Sequence, residues 1–336
     1  MNATQTSTTL YVQDPCFGTG VMLPGDGVTG ACGTPERPDG TDRTIVTPGF
    51  WVGDANYRNT ATPKVMTFSN GSSTGDGTLG STSAATVGAD AYASLYSSFR
   101  YLYVMHDRQG LDRNNGPAVR AVVHHPMGAN AEWSTRYNAV LIGHGDANHY
   151  DLASLDVMAH ELGHGLSAYG PTLQYGTNPE SAKLAEATAN MFAMLVSGDH
   201  LELDVVPYRI GEMTSRTGAP GDTFTYMDDP VQKSAAVCYD PGNAALENHR
   251  GAGPGNHMFY LLVYGGHSKC NGSLVQSIGF AAAEKIWYDA FHNLQPLATY
   301  SQLRAQFVAS AMALADGPAN VAVASTISAF DAVNVQ

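Results

Sequence analysis

The chain has 336 residues, of which 43% are hydrophobic and only 14% charged, and its formal net charge is −13. This composition excludes a disordered chain and suits a globular protein large enough for two packed lobes. It also argues against a nucleic-acid partner, because the 17 Lys and Arg are scattered without a basic run.

No stretch of 18 apolar residues predicts a membrane span. The start, Met1-Asn2-Ala3-Thr4-Gln5, lacks the basic and apolar regions of a signal peptide. Four cysteines favour a mature extracellular domain over a cytosolic one, and the acidity fits solubility in that medium. Four cysteines allow three pairings; the sequence-local one joins Cys16 to Cys32 and Cys238 to Cys270.

Residues 1–90 are rich in Gly, Thr, Ser, Asp and Pro, with short β-type pieces at Thr44–Val46, Phe50–Val52 and Lys64–Phe68. From Ala89 to His106 the apolar spacing becomes helical. Val119–His124 alternates as a strand, and Ala131–Ile142 offers an edge strand and its neighbour. Beyond residue 150, helices are expected at Ala153–Ala168, Ser181–Val196, Gly255–Tyr264, Leu274–Asn293, Tyr300–Ala315 and Asn320–Val333. The expected architecture is α+β and two-lobed: a β-rich lobe over 1–152, a mainly helical lobe over 153–336, and a cleft at the join.

The chemistry concentrates at His160-Glu161-Leu162-Gly163-His164. On a helix, residues four apart share a face, so both imidazoles can close on one metal ion while Glu161 reaches its water. Two histidines leave a catalytic zinc one protein ligand short. The candidate is Glu186, on the next expected helix among Leu184, Ala185, Ala187, Ala189 and Met191. A carboxylate in that setting is buried, and a buried carboxylate needs a cation.

These residues resemble the thermolysin family of secreted zinc endopeptidases. Leu155-Asp156-Val157-Met158-Ala159 looks like its lead-in to the zinc helix, and Glu186-Ala187-Thr188-Ala189-Asn190 like its third-ligand helix. Asn130-Ala131-Glu132-Trp133 is similar to its substrate-binding edge strand. Ile210-Gly211-Glu212 and Met227-Asp228-Asp229-Pro230 fit further stretches. His249, seven residues before Asn256, fits the second catalytic histidine, with His257 as a rival. Tyr175 is the best match to the catalytic tyrosine. The resemblance covers roughly residues 90–300 and leaves 1–88 without a match.

The resemblance implies a two-lobed zincin fold and one zinc on His160, His164 and Glu186. Glu161 is then the general base, and His249 and Tyr175 stabilise the oxyanion. Asn130, Ala131 and Trp133 bind extended substrate, and cleavage falls before bulky apolar residues. It implies zero or one structural calcium at Asp156 and Glu212, with Asp199 or Glu202 as further ligands; Arg209 opposes a second ion. The expected partners are protein or peptide substrates of a secreted monomer, with the pro-region usual in the family expected to lie outside these 336 residues.

Three residues depart from the family pattern. Asn190 replaces the Asp that orients a zinc-bound histidine, Thr225 replaces an Arg that holds substrate carbonyls, and Glu132 replaces an aromatic residue. Two alternatives follow: a non-catalytic zinc-containing binding protein, which the intact Glu161 opposes, and an aminopeptidase using Glu132 as the amine anchor.

Overall fold

The computed structural model describes residues 50–56, 64–65, 84–173, 178–199, 206–314 and 321–336. Tyr175, Glu202, Cys16, Cys32 and the expected strand Thr44–Val46 lie outside them. The chain divides into two compact units. The first gathers the described residues of Met1–Leu166, Asp199–Val206 and Gly211–Thr223; the second gathers those of Ser167–Gly198, Pro207–Ile210 and Phe224–Gln336.

The first unit is built on a five-stranded sheet of β1 (Phe50–Asp54), β2 (Lys64–Val65), β3 (Val119–His125), β4 (Ala131–Ser134) and β5 (Ala139–Gly143), in the order β2-β1-β3-β5-β4. The three central strands run parallel, and β2 and β4 close the edges antiparallel. Val119, Ala121, Val122 and Val123 of β3 are all buried, as parallel strands covered on both faces require. Helix α1 (Ala84–His106) packs on β1 and β3 through Ala91, Leu95, Phe99 and Leu102. It starts five residues before the expected helix, because Ala84 to Gly88 carry no breaker of helical spacing strong enough to stop it.

Helix α2 (Leu155–Ala168) follows the sheet and carries Asp156 in its first turn, where a carboxylate suits the helix dipole. A Cβ on Gly165 would lie 3.1 Å from the Trp133 indole, so its missing side chain lets that ring rest against the helix.

The second unit is helical: α3 (Pro179–Asp199), α4 (Asn248–Gly251), α5 (Gly253–Tyr264), α6 (Gly279–Asn293), α7 (Tyr300–Leu314) and α8 (Val321–Asp331). Two small hairpins accompany them, β6–β7 (Arg209–Ile210, Thr225–Tyr226) and β8–β9 (Gly266–His267, Leu274–Val275). The expected helix Leu274–Asn293 is corrected here. Leu274 and Val275 pair as a strand, and the helix begins only at Gly279, whose N–H is taken by Ser277 Oγ at 3.1 Å. A stacked aromatic row, Phe192–Trp287–Phe291, fills the core with centroid spacings of 5.7 and 5.3 Å. Each such fully buried ring contributes about 1.5–3 kcal/mol of transfer free energy. Cys238 and Cys270 form the expected disulfide, with Cα atoms 5.1 Å apart.

All residues from Ser181 to Ser197 of α3 are buried. Glycines let its neighbours come this close. A Cβ on Gly251 would strike the buried Lys183 stem, one on Gly255 would lie 2.8 Å from Ala187 Cβ, and one on Gly253 would overlap the Ala236 carbonyl oxygen. Gly253→Ala therefore moves backbone, and chemical denaturation should show a loss of about 3 kcal/mol.

His257 on α5 is 1% exposed. Its Nε2 accepts the Lys269 N–H at 3.0 Å, which leaves Nδ1–H to donate to the Met227 carbonyl at 3.1 Å. Both nitrogens of the neutral ring are occupied, so this rival to His249 is a structural residue. Burial pushes its pKa below the ordinary value of 6.5, against the Met227 carbonyl and Asp229, which act the other way. The unfolded chain therefore binds the extra proton, and the stability tied to the neutral ring is full above about pH 6.5 and falls as pH drops through it. His257→Gln should lower the melting temperature at pH 7.5 yet flatten its decline toward pH 5.5, measured by calorimetry in chelator-containing buffer; an unchanged pH slope would contradict the assignment.

Candidate active site

His160 and His164 stand one turn apart on α2, and their Nε2 atoms approach to 3.2 Å with the rings at 90°. Ligands about 2 Å from a tetrahedral ion lie about 3.3 Å from one another, so this pair already has chelating separation. Glu161 between them is 7% exposed, and its Oε2 accepts the Trp133 backbone N–H at 2.8 Å. That N–H is on the outer side of the edge strand β4, away from β5. The general-base candidate is thereby tied to the strand expected to bind substrate. Of that strand, Ala131 is half-buried and Glu132 exposed, while Trp133 is buried; Asn130 precedes it, and its carbonyl accepts Gly143 N–H at 2.9 Å.

Glu186 lies in the middle of α3 at 4% exposure. His160, His164 and Glu186 each offer one ligand atom, and these atoms all lie within 4.8 Å of one another. Two imidazole nitrogens and one carboxylate oxygen, largely buried, form a donor set that fits zinc. Among the described residues no other group of three or more His, Cys, Asp or Glu converges in this way.

His249 on α4 approaches Glu186 Oε2 with its Nε2 at 3.3 Å and keeps 64% of its side chain exposed. Its Nδ1 lies 2.6 Å from Glu247 Oε1. Glu247 also caps the helix, accepting the N–H groups of His249 and Arg250. Burial alone would raise the Glu247 pKa, but the His249 ring and these N–H groups outweigh it and hold the carboxyl below its usual range. Glu247 was missed in the sequence. A glutamate two residues before a histidine is unremarkable until a short helix turns both toward one point.

Asn190 is buried, and its Nδ2 donates to Asn256 Oδ1 at 3.3 Å. Asp156 is buried as well, and its carboxylate accepts from Ser154 Oγ, Val157 N–H and Gly211 N–H at 2.5, 2.9 and 2.6 Å. Burial drives its pKa up despite these bonds. Glu212 opens a short 3-10 turn, half-buried. Asp199 pairs with Arg100 at 3.2 Å, and Arg209 lies over the Tyr208 and Tyr226 rings. Tyr175 falls outside the described residues.

Two family profiles match this chain in order: "Thermolysin metallopeptidase, catalytic domain" over residues 42–168, and "Thermolysin metallopeptidase, alpha-helical domain" over residues 172–335. The chain is 30% identical to a thermolysin of Alicyclobacillus acidocaldarius over 334 residues, 97% of this chain and 53% of that protein. It is 32% identical to the transglutaminase-activating metalloprotease of Streptomyces mobaraensis over 220 residues, 61% of this chain and 28% of that one. The chain thus spans about half or less of the length of these relatives. Its fold is similar to the precursor of protealysin, a metalloproteinase from Serratia proteamaculans, with a TM-score of 0.64 at 22% identity; the match covers 85% of this chain and 87% of that one. A β-containing N-terminal domain and a helical C-terminal domain, matched one after the other over most of the sequence, show that the chain belongs to the thermolysin family of metallopeptidases.

Proposed function

We propose that this chain is a secreted zinc endopeptidase in which His160, His164 and Glu186 hold the metal. The observation that carries the reading is the convergence of these three side chains beside a buried Glu161. Zinc bound there supplies a Lewis acid and makes a water nucleophilic near neutral pH.

The chain's own groups supply the rest. Glu161 Oε2 stays bonded to Trp133 N–H, which leaves Oε1 to take the proton of the attacking water and pass it to the leaving nitrogen. The substrate lies along β4, where Asn130, Ala131 and Trp133 sit at the open sheet edge, and extends it by one strand. His249, its Nδ1 held by Glu247, donates from Nε2 to the developing oxyanion, with Tyr175 as a second donor. The buried Asn190 amide orients a histidine ligand in place of a carboxylate, adding no charge.

A preference for a bulky apolar residue after the scissile bond belongs to this reading, as does at most one calcium at Asp156 and Glu212. The disulfide Cys238–Cys270 supports an oxidising compartment, and no helix among the described residues is long and apolar enough to cross a membrane.

Zinc-loaded protein should cleave casein and N-terminally blocked peptides, and phenanthroline should abolish the cleavage; hydrolysis of free-amine peptides alone would favour the aminopeptidase reading. Glu161→Ala should retain one zinc by metal analysis while kcat/KM falls about 10³-fold, and His249→Ala should cost about 10²-fold. Turnover by Glu161→Ala at the parent rate would rule out the assigned base.

A further inference from the structure

A cavity of about 210 Å³ opens in the second unit beside His249, and Thr225, Lys233, Arg250 and Asn256 contribute to its wall. Thr225 on β7 is short, so the strand leaves space where a long side chain would fill it. Two cations from separate elements, Lys233 ending a 3-10 turn and Arg250 on α4, border that space. The one carboxylate in the wall, Glu247, is engaged with the His249 ring and with the N–H groups of His249 and Arg250. Asn256 is 2% exposed, and its Oδ1 takes the Asn190 amide hydrogen. That bond engages its oxygen and not its Nδ2, and the residue lines the cavity.

We propose that this cavity is a substrate subsite for an acidic side chain: a Glu or Asp close to the scissile bond, held by Arg250, Lys233 and Asn256 Nδ2. The proposal rests on the endopeptidase reading, because His249, which serves the scissile carbonyl there, shares the cavity wall. Its chemistry is that of a carboxylate meeting a guanidinium, an ammonium and an amide N–H, where charge-assisted hydrogen bonds are stronger than neutral ones. A volume of about 210 Å³ has room for a side chain of Glu size. Against the chain's net charge of −13, this wall carries two cations and one carboxylate, and that carboxylate is already engaged.

Internally quenched peptides sharing one neutral background, with Glu, Gln, Leu or Lys at each of three positions on either side of the bond, test this. At one position Glu should exceed its isostere Gln by about tenfold in kcat/KM at low salt, and the ratio should shrink at 0.5 M NaCl. In the double variant Lys233→Met, Arg250→Gln the Glu-to-Gln ratio should fall to about one, and Arg250→Glu should shift the preference at that position to Lys. A ratio near one at every position in the parent, or an unchanged ratio in the double variant, overturns the subsite. If zinc-loaded protein cleaves none of the peptides, the endopeptidase reading fails, and calorimetric titration with N-acetyl-glutamate amide against N-acetyl-glutamine amide decides the cavity separately: a salt-sensitive preference for the former, lost in the double variant, supports it, and equal binding overturns it.

Discussion

A carboxylate in the middle of a largely buried helix is the constraint on which the rest of this protein depends. Glu186 sits among seventeen consecutive buried residues of α3, where an ionised, unpaired carboxylate would cost several kcal/mol. The surroundings answer that cost with cation-binding chemistry: the His160 and His164 nitrogens share a 4.8 Å sphere with it, and His249 lies 3.3 Å away. Lys183, a turn earlier, shows the other solution on the same helix, sending its ammonium to the Pro179 and Ala244 carbonyls.

Bringing His249 to Glu186 demands close approach of backbone. Gly251, Gly253 and Gly255 provide it, each at a point where a Cβ would meet Lys183, Ala236 or Ala187. The glycine-rich sequence around His249 is therefore a packing device. Its two histidines have opposite fates eight residues apart: His257 is sealed with both nitrogens bonded, while His249 stays exposed with Glu247 holding one nitrogen. In the first unit Trp133 performs a comparable double task. Its ring rests on Gly165, and its N–H fixes Glu161, so the strand and that carboxylate share one anchor.

The calcium expectation at Asp156 shows how one carboxylate can serve two readings. In sequence it resembles an ion ligand; in the structure it accepts Ser154 Oγ–H and Val157 N–H at the start of α2 and ties that turn to Gly211 through a third hydrogen bond. Likewise the helix expected from Leu274 was misread because Leu274 and Val275 are apolar at either period. The hairpin with Gly266 and His267 decides in favour of a strand.

The sequence by itself determined the family and the helix that carries His160 and His164, and it singled out Glu186, because those features are local: four-residue spacing on one helix, and a lone glutamate in an apolar one. It also located β1, β3, α3 and most helices of the second unit, whose hydrophobic periods are regular. Only the tertiary structure decided that His257 has both nitrogens bonded while His249 stays exposed, that Glu247 holds His249, that Trp133 bonds Glu161, and that Thr225, Lys233, Arg250 and Asn256 border one cavity. These are meetings of groups far apart in the chain, or of neighbours turned together by a single short helix. Their energies come from burial and hydrogen-bond satisfaction, which spacing along a sequence does not express.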